Sequence, residues 1–326
     1  MHRITVLCIA LALDFAFGEP RWFFFHPVRI MGKAIGFLEG FLFLRGPFLP
    51  KPFPGLLKSP RIAGVLLCVT VAGGVYLLTM ALANAVYPRH AVPGTLIIAF
   101  LLYTAIALKG LAGEAGKVID LACSGDLDAA RRQLKSLVGR DTEDLDEGGI
   151  LKAAVESLAE NASDGVLAPI FYYLLGGIPM AMTYKAINTM DSMVGYKNEK
   201  YRLFGWAPAR LDDLANIVPA RLTGLFICLA GAAAGHGIVR PLKTMFRDGR
   251  KHPSPNSGVP MAAMAGALGV TLGGPAAYGG ALVEKPFIGE GPPPSRQEAR
   301  LAIKLTFYAS LLGAAVMALP GAVIFH

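Results

Sequence analysis

Charge is scarce in this chain. Asp, Glu, Lys and Arg make up 17% of its 326 residues, while 54% are hydrophobic; soluble domains carry about a quarter charged residues. The deficit argues against an ordinary soluble domain, although 38 glycines and 23 prolines would also suit a soluble α/β enzyme. Cysteine is sparse too. Cys8, Cys68, Cys123 and Cys228 are scattered, three of them in apolar runs, and no CxxC or Cys/His cluster occurs, which leaves neither a zinc site nor a disulfide framework. There is no GxxxxGK(S/T), so a nucleotide-binding P-loop is excluded at motif level. The basic residues form no dense patch, and nucleic-acid binding has no supporting motif.

What the chain has in quantity is long apolar runs. Ile62–Val86, Pro93–Lys109, Val166–Met182, Leu214–Ala234 and Leu305–Phe325 each approach the ~20 residues a helix needs to cross a bilayer, and Ile62–Val86 contains no charge. The expected fold class is all-α: a polytopic integral membrane protein with about four to six transmembrane or re-entrant helices and a small helical cytoplasmic segment at 110–165. No repeat or long linker divides the chain, so 1–326 is expected to be one membrane domain. Ile4–Leu13 resembles the apolar part of a secretory signal, but no small-residue cleavage site follows. It reads as a retained helix, short for a full span. Gly46–Pro60 reads as an irregular connection and Pro88-Arg89-His90 as a turn between two spans.

The net charge of +8 lies mostly between the spans. Arg21–Arg61 holds seven Lys/Arg against Glu39 alone, which marks it as cytoplasmic. Lys185–Asp213 and Arg240–Lys251 are basic as well, and simple alternation of spans cannot put all of them on one side. Val166–Met182, interrupted by Pro169, Gly176, Gly177 and Pro179, is therefore expected to be broken or re-entrant. Irregular backbone at membrane depth is tolerated where it lines a polar cavity.

Within 110–165 the pattern predicts helices around Glu114–Ala122, Leu127–Val138 and Leu151–Ser163, with Asp126 as N-cap of the second and Gly165 ending the third. The acidic run Asp141–Glu147 reads as a solvated loop leading into a helix N-terminus, where acids are favoured. No catalytic role is expected of it.

Polar side chains in apolar surroundings are expensive, which makes them candidates for function. Four groups stand out. Asp14, Glu19, Arg21, His26 and Arg29 surround two X-Pro steps that hold Glu19 and His26 out of helical geometry; an ordinary loop with a solvated histidine is the competing account. Glu156, Glu160 and Asp164, with Asn161, fall on or beside one helical arc, and Lys185, Asn188, Thr189 and Ser192 share another with Asp191 at its edge. Carboxylates so arranged can hold Mg²⁺; an ion pair such as Glu156 with Lys152 is the alternative. The fourth group is Arg210, Asp212, Asp213, Asn216 and Arg221, followed by Ser254-Pro255-Asn256-Ser257-Gly258. Arg221 lies inside an apolar run and must face protein or a polar cavity, and a guanidinium there suits phosphate or carboxylate. Gly231-x-x-x-Gly235 reads as close helix packing.

These residues sit in longer motifs: Asp14–Gly32, ESLAENASDG at Glu156–Gly165, YKAINTMDSMVGYKNEKY at Tyr184–Tyr201, APARLDDLANIVPARL at Ala207–Leu222 and SPNSGVPMAAMAGALGVTLGGPAAY at Ser254–Tyr278. Together and in order they resemble the CobD/CbiB family, the membrane-bound adenosylcobinamide-phosphate synthases of cobalamin biosynthesis, over nearly the whole chain. Departures are small: Ser257 stands where alanine is more frequent, and Val259 where an aromatic is common. AmpE-type regulatory proteins share the general layout, but the SPNSG block favours the cobalamin branch.

The resemblance implies an amide-forming ligase of the cell membrane, active on the cytoplasmic side. It would join a propionate of the corrinoid adenosylcobyric acid to (R)-1-amino-2-propanol or its O-phosphate, using ATP and Mg²⁺. On that basis Glu156, Glu160, Asp164, Lys185 and Asp191 are the expected catalytic residues, with Glu160, Asp164 and Asp191 as Mg²⁺ ligands. His26, Arg29, Asn161, Asn188, Arg210, Asp213, Asn216, Arg221, Ser254 and Asn256 are expected to bind substrate. Membrane lipid, a second copy of the chain or other late enzymes of the pathway are the expected partners. A transporter or sensor that binds a corrinoid or another anion without chemistry is the alternative, because intramembrane charge and a broken helix suit transport equally well.

Overall fold

The computed structural model of the protein describes residues 2–18, 26–42, 59–86, 91–196 and 198–324. Glu19, Arg21, residues 46–58 of the connection expected at Gly46–Pro60 and the turn expected at 88–90 lie outside them. Thirteen α-helices account for most of these residues: α1 His2–Phe17, α2 Pro27–Leu42, α3 Pro60–Val86, α4 Ala91–Ala105, α5 Leu108–Cys123, α6 Leu127–Leu134, α7 Glu147–Ala162, α8 Ala168–Val194, α9 Trp206–Ala215, α10 Ile217–Ala233, α11 Val239–Asp248, α12 Gly258–Leu268 and α13 Arg296–Ile324. Among the described residues, four helical stretches are long and apolar enough to cross a membrane: Pro60–Val86, Val92–Cys123, Glu147–Val194 and Arg296–Leu319. Trp206–Ala215 and Ile217–Ala233, counted together, make a fifth. The protein is a polytopic all-α membrane protein.

The chain forms two compact units. Unit 1 comprises Met1–Ile106, Ala168–Ala215 and Pro320–His326; unit 2 comprises Ala107–Leu167 and Asn216–Leu319. In unit 1, α3 packs along α8 and α1 along α4, around fully buried Ile35, Leu67, Leu102, Tyr173, Tyr184 and Phe204. Tyr172 and Tyr184 stack with ring centroids 5.1 Å apart, and the Tyr172 hydroxyl donates to Ala215 O at 2.8 Å. Pro27 opens α2, the position where a missing N–H costs nothing, and His26 just before it is non-helical and buried.

The expected break in the third apolar run, Val166–Met182, is present. Within α8, Gly176 and Gly177 leave helical geometry, Gly177 at φ 71°, ψ −163°, a region essentially open only to glycine. Gly177→Ala should therefore destabilise the protein by about 1–3 kcal/mol, read as a lowered thermal midpoint. A Cβ there would meet Pro179 Cδ at 3.7 Å, an ordinary contact with no clash, which makes backbone strain the cause.

Gly165 does not end α7. The chain instead widens into a π turn at Ser163–Leu167 and continues into α8. Pro169 lacks the N–H that would bond the Gly165 carbonyl four residues back, and that carbonyl accepts from Ala107 N at 3.0 Å instead. Asp126 caps α6 as expected, accepting from Ala129 N at 3.0 Å, and Asp146 caps α7 through Gly149 N at 2.7 Å.

Unit 2 is centred on α5, α7, α10, α12 and α13, whose alanine-rich faces share one core. Gly231 lets α10 approach α12, since a Cβ there would meet Ala267 Cβ at 3.1 Å. Gly235, by contrast, ends the helix at φ 85°, so only half of the GxxxG expectation concerns packing. Four short strands went unanticipated: β1 Leu272–Gly273, β2 Ala276–Tyr278, β3 Ala281–Val283 and β4 Phe287–Ile288. They pair antiparallel as β1 with β4 and β2 with β3. Gly279 and Gly280, both at positive φ, supply the turn that a two-residue hairpin loop requires.

Fully buried Asp248 locks α11 to this region. It accepts from Arg247 at 2.8 and 2.6 Å and from Gly289 N at 2.9 Å, and pairs with Lys251 at 2.7 Å. These donors, Arg247 foremost, hold its carboxyl far below the usual range. The stabilisation is complete above about pH 4, the ordinary aspartate value, and is lost as pH falls below that towards the folded-state value. Asp248→Asn should cost about 2–4 kcal/mol at neutral pH, and the gap to wild type should close in thermal melts run at progressively lower pH.

Candidate functional site

Unit 2 contains a cavity of about 190 Å³. One wall is the α7 face bearing Ala153, Glu156, Ser157 and Glu160. The others are the 137–140 loop, His252, Met261 of α12, Gly273–Gly274, Tyr278 and Lys285. Two carboxylates, a guanidinium, an ammonium and an imidazole thus converge on a small space.

Glu156 does not pair with Lys152. Its Oε2 accepts from Arg140 Nη2 at 2.7 Å and its Oε1 from Gly273 N at 2.7 Å. Both side chains of the ion pair are nearly buried, 10% and 12% exposed. Gly273 presents its N–H from a backbone at φ 73°, which glycine adopts without cost. Glu156 therefore ties α7 to the 137–140 loop and to β1.

Glu160, one turn on, is held from the other side. Ser257 donates to its Oε1 at 2.7 Å, within a turn where Ser254 Oγ accepts from the N–H groups of Asn256 and Ser257, both at 3.3 Å. Arg221 reaches the same turn, donating to Asn256 Oδ1, to Pro255 O at 3.2 Å and to Ile217 O at 3.0 Å. The expected need of Arg221 for protein partners is thus met by the SPNSG segment, which joins α10 to α7.

His252 precedes that turn and faces the cavity. Its Nδ1 accepts from Ser254 N at 3.1 Å, so the neutral ring carries its proton on Nε2. Burial holds its pKa below the ordinary histidine value; Glu160 acts in the opposite direction and Lys285 adds to the lowering. Lys285 donates to the Tyr278 hydroxyl and lies 4.6 Å from that ring's centroid. The acidic run is more than solvated loop: Asp141 accepts from Gly279 N at 3.1 Å and Gly280 N at 2.7 Å, steadying the hairpin that carries Tyr278.

The expected site residues divide between the units. Glu156, Glu160, Asn161, Asp164, Asn216, Arg221, Ser254 and Asn256 belong to unit 2. Of these, Glu156 and Glu160 line the cavity, while Asn161 donates to Ser157 O at 3.0 Å and Ser157 Oγ at 3.1 Å. His26, Arg29, Lys185, Asn188, Asp191, Arg210 and Asp213 belong to unit 1. There Asn188 donates to Asp212 Oδ1 at 3.4 Å, and Arg210 pairs loosely with Asp213 at 4.0 Å. Arg140, Ser157, His252, Tyr278 and Lys285 were not anticipated. Ser157 and Tyr278 lay within recognised motifs, whereas Arg140, His252 and Lys285 did not.

Among the described residues, no group of three or more His, Cys, Asp or Glu side chains could hold a metal ion. A Mg²⁺ ion at Glu160, Asp164 or Asp191 would need ligands from elsewhere, which suits this ion's habit of keeping waters and binding substrate phosphates beside one or two carboxylates.

A model of the CobD/Cbib protein family matches residues 7–306. The chain is 47% identical over 286 residues to the "Cobalamin biosynthesis protein CobD" of Geobacter metallireducens, covering 88% of this chain and 86% of that one. The protein of the same name from Pelobacter propionicus is 42% identical over 322 residues, covering 98% and 95%, and that from Clostridium perfringens 43% over 284 residues, covering 87% of each. No solved structure matches the chain. The chain belongs to the CobD/Cbib protein family, whose relatives are named for cobalamin biosynthesis.

Proposed function

We propose that the protein forms an amide bond in cobalamin biosynthesis, joining a corrin-ring propionate of adenosylcobyric acid to (R)-1-amino-2-propanol or its O-phosphate at the expense of ATP. Family membership supports the pathway. The observation that carries the chemistry is the unit 2 cavity, where Glu160 is fixed by Ser257 beside Arg140, His252 and Lys285. A carboxylate is a poor acyl donor, so one of its oxygens first attacks the terminal phosphorus of ATP and ADP leaves. The amine nitrogen then attacks the acyl carbon, the acyl C–O bond breaks, and inorganic phosphate departs.

The attacking nitrogen must lose a proton, and Glu160 is the carboxylate placed to take it, because both oxygens of Glu156 are already engaged. Arg140, Lys285 and the His252 Nε2–H supply positive charge and a donor for phosphoryl oxygens. When bound with ATP, Mg²⁺ would neutralise part of the phosphate charge, with Asp164 as a further oxygen ligand.

A cavity of about 190 Å³ is smaller than the roughly 300–1,000 Å³ usual for ligand pockets. It suits the small amine and a phosphate, with the macrocycle held outside it. Within unit 2, Asn161, Asn216, Arg221, Ser254 and Asn256 are proposed substrate contacts; within unit 1, His26, Arg29, Lys185, Asn188, Arg210 and Asp213 are proposed substrate contacts of their own. The basic connecting segments favour a cytoplasmic site in the cell membrane.

Purified protein incubated with adenosylcobyric acid, aminopropanol phosphate, ATP and Mg²⁺ tests the reading. A corrinoid mass gain matching amide formation supports it. Corrinoid bound but unchanged would instead support a transporter or sensor.

A further inference from the structure

The helix α11 exposes a surface that water does not favour. Its buried arc, Pro241, Thr244, Met245 and Asp248, packs against α12. On the opposite arc Val239 and Phe246, seven residues apart and so in line along the helix, are 74% and 75% exposed. Beside that apolar strip stand Lys243 and Arg247, with Arg250 in the turn that follows the helix. Arg247 is partly offset by Asp248 and Glu290, whereas Lys243 and Arg250 make no ion pair among the described residues. An apolar strip bordered by cations along one helix is the pattern of a helix lying in a membrane interface.

Its position in the chain agrees. The apolar helix α10 ends at Ala233 in a tight turn, with His236 N bonding Gly231 O at 2.9 Å, and α11 begins at Val239. Six residue steps reach at most about 20 Å, and glycines at positive φ at 235 and 237 shorten that span. The N-terminus of α11 thus stays close to the end of a membrane-crossing element.

We propose that α11 lies in the headgroup layer and binds anionic phospholipid, with Val239 and Phe246 entering the glycerol and upper acyl region and Lys243, Arg247 and Arg250 meeting the lipid phosphates. A free anion would satisfy the cations and leave the apolar strip uncovered, so the occupant is a lipid. The consequence reaches the candidate site: four residues after α11 comes His252, followed by the turn whose Ser257 holds Glu160. Lipid bound to α11 steadies the segment that carries both.

Hydrogen exchange of the α11 amides, measured on the full-length protein in nanodiscs, tests this. Exchange should be about tenfold slower in phosphatidylcholine–phosphatidylglycerol discs than in phosphatidylcholine discs, because an anionic surface attracts the cations that flank the apolar strip. K243Q/R250Q should abolish the difference while melting like wild type in phosphatidylcholine, because both side chains are exposed. Equal exchange in the two lipids, a difference that survives K243Q/R250Q, or the same protection from inorganic phosphate in phosphatidylcholine discs would each overturn the proposal.

Discussion

Glu156→Ala should cost the protein about 3–5 kcal/mol, the penalty for leaving a buried charge without its partner. Arg140 is only 10% exposed, so its guanidinium cannot recover full hydration when the carboxylate is removed. The Gly273 N–H, now bonded to Glu156 Oε1, would lose its acceptor as well. Replacing both members of the pair with apolar residues of similar volume is often neutral or stabilising. Arg140→Met with Glu156→Leu should therefore recover much of the loss, which separates a stranded charge from general damage to α7. Denaturant unfolding of the three proteins in detergent reads both effects. A single variant within about 0.5 kcal/mol of wild type, the ordinary range for a surface change, would show that the pair is not a tether.

The second large effect is on rate. Glu160→Gln keeps the side chain's size, and its amide oxygen can still accept from Ser257, so the fold and the SPNSG turn should survive. What it loses is the capacity to take a proton, a contribution typically worth 10²–10⁴-fold. Ser257→Ala removes one hydrogen bond, about 0.5–1.5 kcal/mol, and leaves the carboxylate. It should slow amide formation by about tenfold at most, so the two variants together distinguish a base from a merely well-held acid.

Much of this fold is legible because its signals are local. An uncharged run marks α3 to within two residues of its observed start, Asp126 caps α6, and Gly176-Gly177 breaks α8 where the chain's own punctuation says it should. Gly165 misled because a helix-ending glycine and a glycine in front of Pro169 look alike in sequence; only the carbonyl's bond to Ala107 distinguishes them. Strands of two or three residues at 272–288 carry no period to detect.

The candidate site divides in the same way. Costly polar residues at Glu156 and Glu160 are visible from burial cost alone. Arg140 is not, because it adjoins an acidic run that looks solvated, and Lys285 is a lone lysine in a loop. The bond from Gly273 to Glu156 spans 117 positions, and no local pattern encodes such a pairing.

The most direct test of the central claim, that the unit 2 cavity is where the amide forms, is to measure corrinoid binding and amide formation side by side on wild type and Glu160→Gln. Loss of amide formation by about 100-fold or more, with corrinoid affinity unchanged, is the predicted result. Amide formation at the wild-type rate in Glu160→Gln would contradict the account.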